Sequence, residues 1–102
     1  MHRYTTPTIP ITIDEVDFST VDVFRIAIEK GQKSLLFIVP ADDERVDAQH
    51  KTINIELTQE ESAMFNEGFV LVQARIKYTN GNVQATNMAR LNVADVLDEV
   101  II

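Results

Sequence analysis

The chain has 102 residues, enough for one domain with a modest core, and 45% of them are hydrophobic, as in a globular protein rather than a disordered one. Sixteen acidic residues against nine basic ones give a net charge of −7, which argues against duplex nucleic acid and anionic membranes as partners. The absence of cysteine excludes disulfides and thiolate zinc sites, and two histidines are too few for a histidine metal triad.

Met1-His2-Arg3-Tyr4 leads into Thr and Pro rather than an apolar run, so no signal peptide is expected, and no stretch approaches the length of a membrane span. Residues 1–7 read as a short, mobile arm that includes His2, with Tyr4 as the one aromatic expected on the surface. Thr8 to Ile13 alternates, with Ile9, Ile11 and Ile13 on one side. Pro10 removes a ladder donor and makes this an edge strand or a strand start. Asp14, Glu15 and Asp17 form an acidic loop, solvated by default. A calcium loop would need a glycine and a regular ligand spacing that this stretch lacks.

Val21 to Glu29 is the second strand, with Phe24, Ile26 and Ile28 inward and Val23, Arg25 and Ala27 outward. Gly31 supplies a turn into Lys33–Val39. There Leu35-Leu36-Phe37-Ile38-Val39 is apolar without interruption, so both faces of the strand are expected to be covered. One face belongs to the core. The other, assigned to Leu35, Phe37 and Val39, is covered by a loop, a terminus or another subunit. Pro40 ends the strand, and Asp42, Asp43, Glu44 and Asp47 fill a polar loop. Whether loops 14–17 and 42–47 take calcium is left open by the sequence.

Lys51–Leu57 is a clean strand with Ile53, Ile55 and Leu57 inward. Thr58 with Glu61 three residues on is a capping box, and Glu60 and Glu61 suit the positive end of a short helical turn near 59–65. Val70, Val72, Ala74, Ile76 and Tyr78 share the inner face of a long strand, with Leu71, Gln73, Arg75 and Lys77 on the other. Asn80-Gly81 predicts a two-residue type I′ turn. That turn would set Tyr78 opposite Val83, Ile76 opposite Ala85, Val72 opposite Ala89 and Val70 opposite Leu91, with Asn87 marking a bulge or a satisfied inner polar group. The end, 94–102, closes on Val100, Ile101 and Ile102. This apolar run is expected to add to a sheet edge or to pack on Leu35, Phe37 and Val39, in this chain or a neighbour's.

Six or seven antiparallel strands, one tight hairpin and one helical turn make residues 1–102 a single all-β domain, with a small open barrel as the competing architecture. Strand 51–57, the capped turn, the long strand 69–78, the tight hairpin and the last strand resemble the E–F–G portion of immunoglobulin-like β-sandwiches, without their cysteine pair or tryptophan. Tyr4-Thr5-Thr6-Pro7-Thr8, Leu57-Thr58-Gln59-Glu60-Glu61, Val70-Leu71-Val72-Gln73 and Asp95-Val96-Leu97-Asp98-Glu99-Val100 resemble small structural proteins of tailed phages and prophages from gut Firmicutes.

This resemblance implies a virion or prophage structural role, in a head–tail or baseplate assembly, and no catalytic residues. The expected partners are further copies or other virion proteins, with no nucleic acid, membrane or cofactor. The expected location is the host cytoplasm and the virion. Carbohydrate binding is the alternative, weakened by the lack of tryptophan. An enzyme is not expected, because Ser19, Ser34 and Ser62 lie in no nucleophile elbow.

Overall fold

Period-two burial organises the molecule. Phe24, Ile26 and Ile28 on β2 (Val21–Lys30) and Val70, Val72, Ala74 and Ile76 on β6 (Gly68–Tyr78) are all buried, while the residues between them are not. The computed structural model describes all 102 residues. β2 and β6 pair antiparallel at the centre of a five-stranded sheet, with Phe24 against Ile76, Ile26 against Ala74 and Ile28 against Val72. β3 (Lys33–Pro40) forms one edge beside β2. β7 (Val83–Ala85) and β8 (Ala89–Val93) both pair with the far side of β6.

The facing sheet has three short strands, β1 (Thr8–Thr12), β5 (Thr52–Glu56) and β4 (Val46–Asp47), in the order β1-β5-β4. Ile9, Ile53 and Ile55 pack from this sheet into one core with Phe24, Ile26, Ile28 and Ile76 from the other. Phe18, from a 3₁₀ turn at Phe18–Thr20, packs on Phe24 with ring centroids 5.0 Å apart.

This is an all-β sandwich, and its strand order is immunoglobulin-like. β1, β5 and β4 take the places of strands B, E and D. β3, β2, β6 and β7/β8 take those of C′, C, F and G. Residues 1–3 run parallel to the end of β8, where a first strand lies in that fold. The arm is therefore fastened: the Arg3 N–H donates to the Ala94 carbonyl (2.9 Å), and the Ala94 N–H to that of Met1 (2.7 Å). The extra strands beyond the six read from the sequence are the two-residue β4 and the division of the last strand into β7 and β8.

The helical turn is α1 (Gln59–Ala63), and its capping box forms as expected. The Thr58 hydroxyl accepts from the Glu61 N–H at 3.1 Å, and Glu61 Oε1 accepts from the Thr58 N–H at 2.8 Å. Ser62 is fully buried, yet satisfied. Its hydroxyl meets the Thr5 carbonyl at 2.7 Å and accepts from the Thr5 N–H at 3.0 Å, which ties the arm to α1. Pro10 lies on the free edge of β1. Pro7 and Ile13, at odd positions like Ile9 and Ile11, bond toward the β5 side, so Pro10's missing donor costs no ladder bond.

The hairpin differs from expectation near its turn. The Gly81 N–H donates to the Tyr78 carbonyl and the Tyr78 N–H to that of Asn82, both at 2.9 Å, so the loop has three residues, Thr79–Gly81. Gly81 has φ +90°, whereas Asn80 is not among the positive-φ residues, as a type I′ turn would require. Lys77, not Tyr78, therefore faces Val83, and Ile76 faces Gln84 rather than Ala85. Val83 points outward and is 54% exposed.

One extra residue between Thr86 and Ala89 then restores the expected register, with Val72 opposite Ala89 and Val70 opposite Leu91. Asn87 sits in this bulge and is exposed. The facing sheet is short, so pointing Val83 inward near the turn gains little, and the loop geometry decides the register there. Gly81→Ala is expected to cost roughly 1–2 kcal/mol in urea unfolding because of the positive φ. Asn80→Ala should lose only the bond its Oδ1 accepts from the Asn82 N–H, under about 1 kcal/mol.

Candidate interaction surface

The sandwich leaves the outer face of the five-stranded sheet uncovered. The β2–β3 and β2–β6 registers set Ile38, Arg25 and Arg75 in one row and Leu36, Ala27 and Gln73 in the next. Lys77 follows Val23 on one side, and Leu71 follows Glu29 on the other, with Arg90 of β8 beyond Leu71. Leu36 and Ile38 are 51% and 54% exposed, Phe69 and Leu71 42% and 36%. The guanidinium of Arg90 lies 4.4 Å from the centroid of the Phe69 ring.

Arg25, Arg75, Lys77 and Arg90 make no ion pair; the salt bridges of the molecule involve Arg3, Arg45 and His50. Four cations against the carboxylates of Glu29 and of Asp22, in the bulge between Val21 and Val23, leave +2 on this face, and therefore −9 on the rest of a chain whose net charge is −7.

The sequence-predicted interaction residues are placed differently. Leu35, Phe37 and Val39 form the inner face of β3, not an open one. They stand opposite Ile28, Ile26 and Phe24, Val39 is fully buried, and Leu35 and Phe37 pack half-buried against the core. The open side of the uninterrupted apolar run is Leu36 and Ile38. Five apolar residues in a row carry no parity signal, and only the pairing with β2 supplies one.

Val100, Ile101 and Ile102 are exposed at 58%, 42% and 93%, and they do not cover β3. Their segment is held elsewhere. The Gln59 side-chain amide both donates to the Ile102 carbonyl (2.6 Å) and accepts from its N–H (2.9 Å). Arg3 Nη1 donates to Asp95 (2.8 Å) and to Glu99 (3.5 Å), and its Nη2 donates to the Ala63 carbonyl (2.9 Å). The Asp95 hydrogen bond holds the Arg3 guanidinium more firmly protonated. Tyr4, expected on the surface, is half-buried beside Arg3.

Three carboxylates of the acidic loops, Asp17, Asp43 and Asp47, bond within the chain. Asp17 caps the 3₁₀ turn by accepting from the Ser19 N–H and hydroxyl. Asp43 accepts from the Arg45 backbone N–H, Nε and Nη2, each at 2.9 Å, and Asp47 meets His50 Nδ1 at 2.7 Å. No three His, Asp or Glu side chains converge on a point where a metal ion would sit. A cleft of about 360 Å³ opens between the sheets, lined by Thr12, Asp14, Glu15, Gln84, Thr86 and Asn87 among others. No helix is long and apolar enough to cross a membrane.

The hydrogen bonds from Arg45 lower the Asp43 pKa to about 2. A depressed carboxylate pKa supports the folded loop above the ordinary carboxylate value and loses that support as pH falls through the folded value. The Arg45 Nε–H resonance in NMR is therefore expected to hold its position down to about pH 3 and then to move through a step centred near pH 2, and to lose this step in Asp43→Asn.

Compared with known proteins, the chain matches no family model, no curated protein and no solved structure.

Proposed function

We propose that this chain is a non-catalytic structural module that assembles through the outer face of its five-stranded sheet, as a virion-associated component at the head–tail or baseplate region of a tailed phage or prophage. The observation that carries the assembly reading is the exposure of Leu36 and Ile38 in the middle of an unpaired edge strand, on the same open face as Phe69 and Leu71. Natural sheets ordinarily blunt such an edge with charge or proline along its length. β3 has Lys33 and Pro40 only at its ends. Burial of these aliphatic side chains against a second protein surface removes the exposed patch. The virion assignment is supported by the likeness of the four sequence segments named above, and host cytoplasm and virion are the locations that go with it.

A carbohydrate-binding module is the second reading, favoured by the polar lining of the cleft between the sheets. The cleft offers amide and hydroxyl groups that suit sugar hydroxyls, but no aromatic platform. A glycan array read with Thr86→Ala/Asn87→Ala as control separates this reading from assembly.

Leu36→Ser/Ile38→Ser tests the assembly reading. Both side chains are more than half exposed, so the unfolding free energy in urea is expected to stay within about 0.5 kcal/mol of wild type. Self-association, measured by light scattering behind a sizing column, is expected to weaken at least about tenfold. Oligomers of unchanged size and strength in this variant would remove the face from the assembly.

A further inference from the structure

Resting on the assembly reading above, we propose that the basic, apolar outer face of the five-stranded sheet receives the acidic, apolar segment 95–102 of a second copy, so that copies join head to tail. Arg25 and Arg75 are direct cross-strand neighbours on that face, an arrangement that repels unless an anionic group lies over it. Neither has an ion-pair partner within the chain, although the chain carries 16 carboxylate side chains. The occupant therefore brings negative charge, and the aliphatic surface of Leu36, Ile38 and Leu71 asks it to bring apolar side chains as well.

Segment 95–102 has both. Asp98 and Glu99 lie between Leu97 and the run Val100 to Ile102, and Leu97, Val100 and Ile102 are 107%, 58% and 93% exposed. Its clamps to Arg3 and Gln59 hold it beside α1 and the arm, away from its own chain's outer face, and so present it to another molecule.

Charge also selects the geometry. Two outer faces set against each other around a two-fold axis would bring two net-positive surfaces together, whereas face against segment is complementary. Such a contact uses different patches on the two copies, and repeats into a ring or a filament. A polyanion fits less well. The face offers aliphatic side chains rather than stacking platforms, its one exposed ring lies under Arg90, and the chain's net charge of −7 repels a nucleic acid at long range.

Sedimentation velocity of the full chain, across concentration and salt, tests this. Wild type is expected to form species that grow with concentration and dissolve as salt rises. Arg25→Glu/Arg75→Glu and Asp98→Lys, each checked for an unchanged circular dichroism spectrum, should assemble at least about tenfold more weakly when alone. Mixed one to one they should regain assembly, because each offers the charge the other has lost. Arg25→Gln/Arg75→Gln replaces the first variant if the carboxylates disturb folding, with the same loss expected.

Assembly untouched by both reversals but abolished in Leu36→Ser/Ile38→Ser overturns the segment as occupant and leaves the assembly reading standing. A mixture that fails to regain assembly also overturns the segment. So does binding of a 20-residue oligothymidylate at the same salt that Arg25→Glu/Arg75→Glu abolishes. Wild type that stays monomeric at every concentration overturns both the inference and the reading beneath it.

Discussion

The antiparallel pairing of β2 with β6 is the constraint on which the rest of the molecule depends. Its register buries Phe24, Ile26 and Ile28 against Ile76, Ala74 and Val72, which forms one wall of the core. The same register places Arg25 beside Arg75 on the opposite side. Period two allows no other outcome: a one-residue slip would bring the arginines inward and turn the isoleucines to water. Core and outer surface are two consequences of one set of backbone hydrogen bonds, so the charged outer face comes with the stable core and cannot be altered by register without losing it.

The two signs of charge are used differently. Carboxylates act as local ties: Asp17 caps a turn, Asp43 holds Arg45, Asp47 holds His50, Glu61 closes the capping box, and Asp95 engages Arg3. Most of these are exposed and each is worth little to stability on its own. They order loops and fasten the arm, α1 and the last segment to one another. The cations on the outer face have no such work inside the chain. A net charge of −7 therefore describes the average of the molecule and conceals a basic face, which matters at contact distances even where the long-range field is acidic.

The edges of the sandwich are unequal in the same way. The free edge of β1 carries Pro10 with its ring nitrogen toward the open side, which denies a donor to any added strand. The edge of β8 is covered at 92–94 by the arm. β3 alone presents a long edge whose middle is aliphatic on its outer side and only half-buried at Leu35 and Phe37 on its inner side. Burial is left unfinished on both sides of this one edge strand.

The sequence by itself determined the fold class, the inward residues of β2, β5 and β6, the capping box at Thr58 and Glu61, and the far half of the last hairpin, because each rests on local periodicity or a side chain bonding a few residues away. It did not determine the turn at Asn80-Gly81. There a three-residue loop with positive φ at Gly81 competes with the two-residue one, and the short facing sheet gives too little burial to arbitrate. It did not determine which side of Leu35–Val39 is open, because an unbroken apolar run has no parity until a neighbouring strand provides it. The outward runs containing Arg25 and Arg75 were both legible, but they lie fifty residues apart, and only the pairing of two distant strands turned two separate cations into one surface.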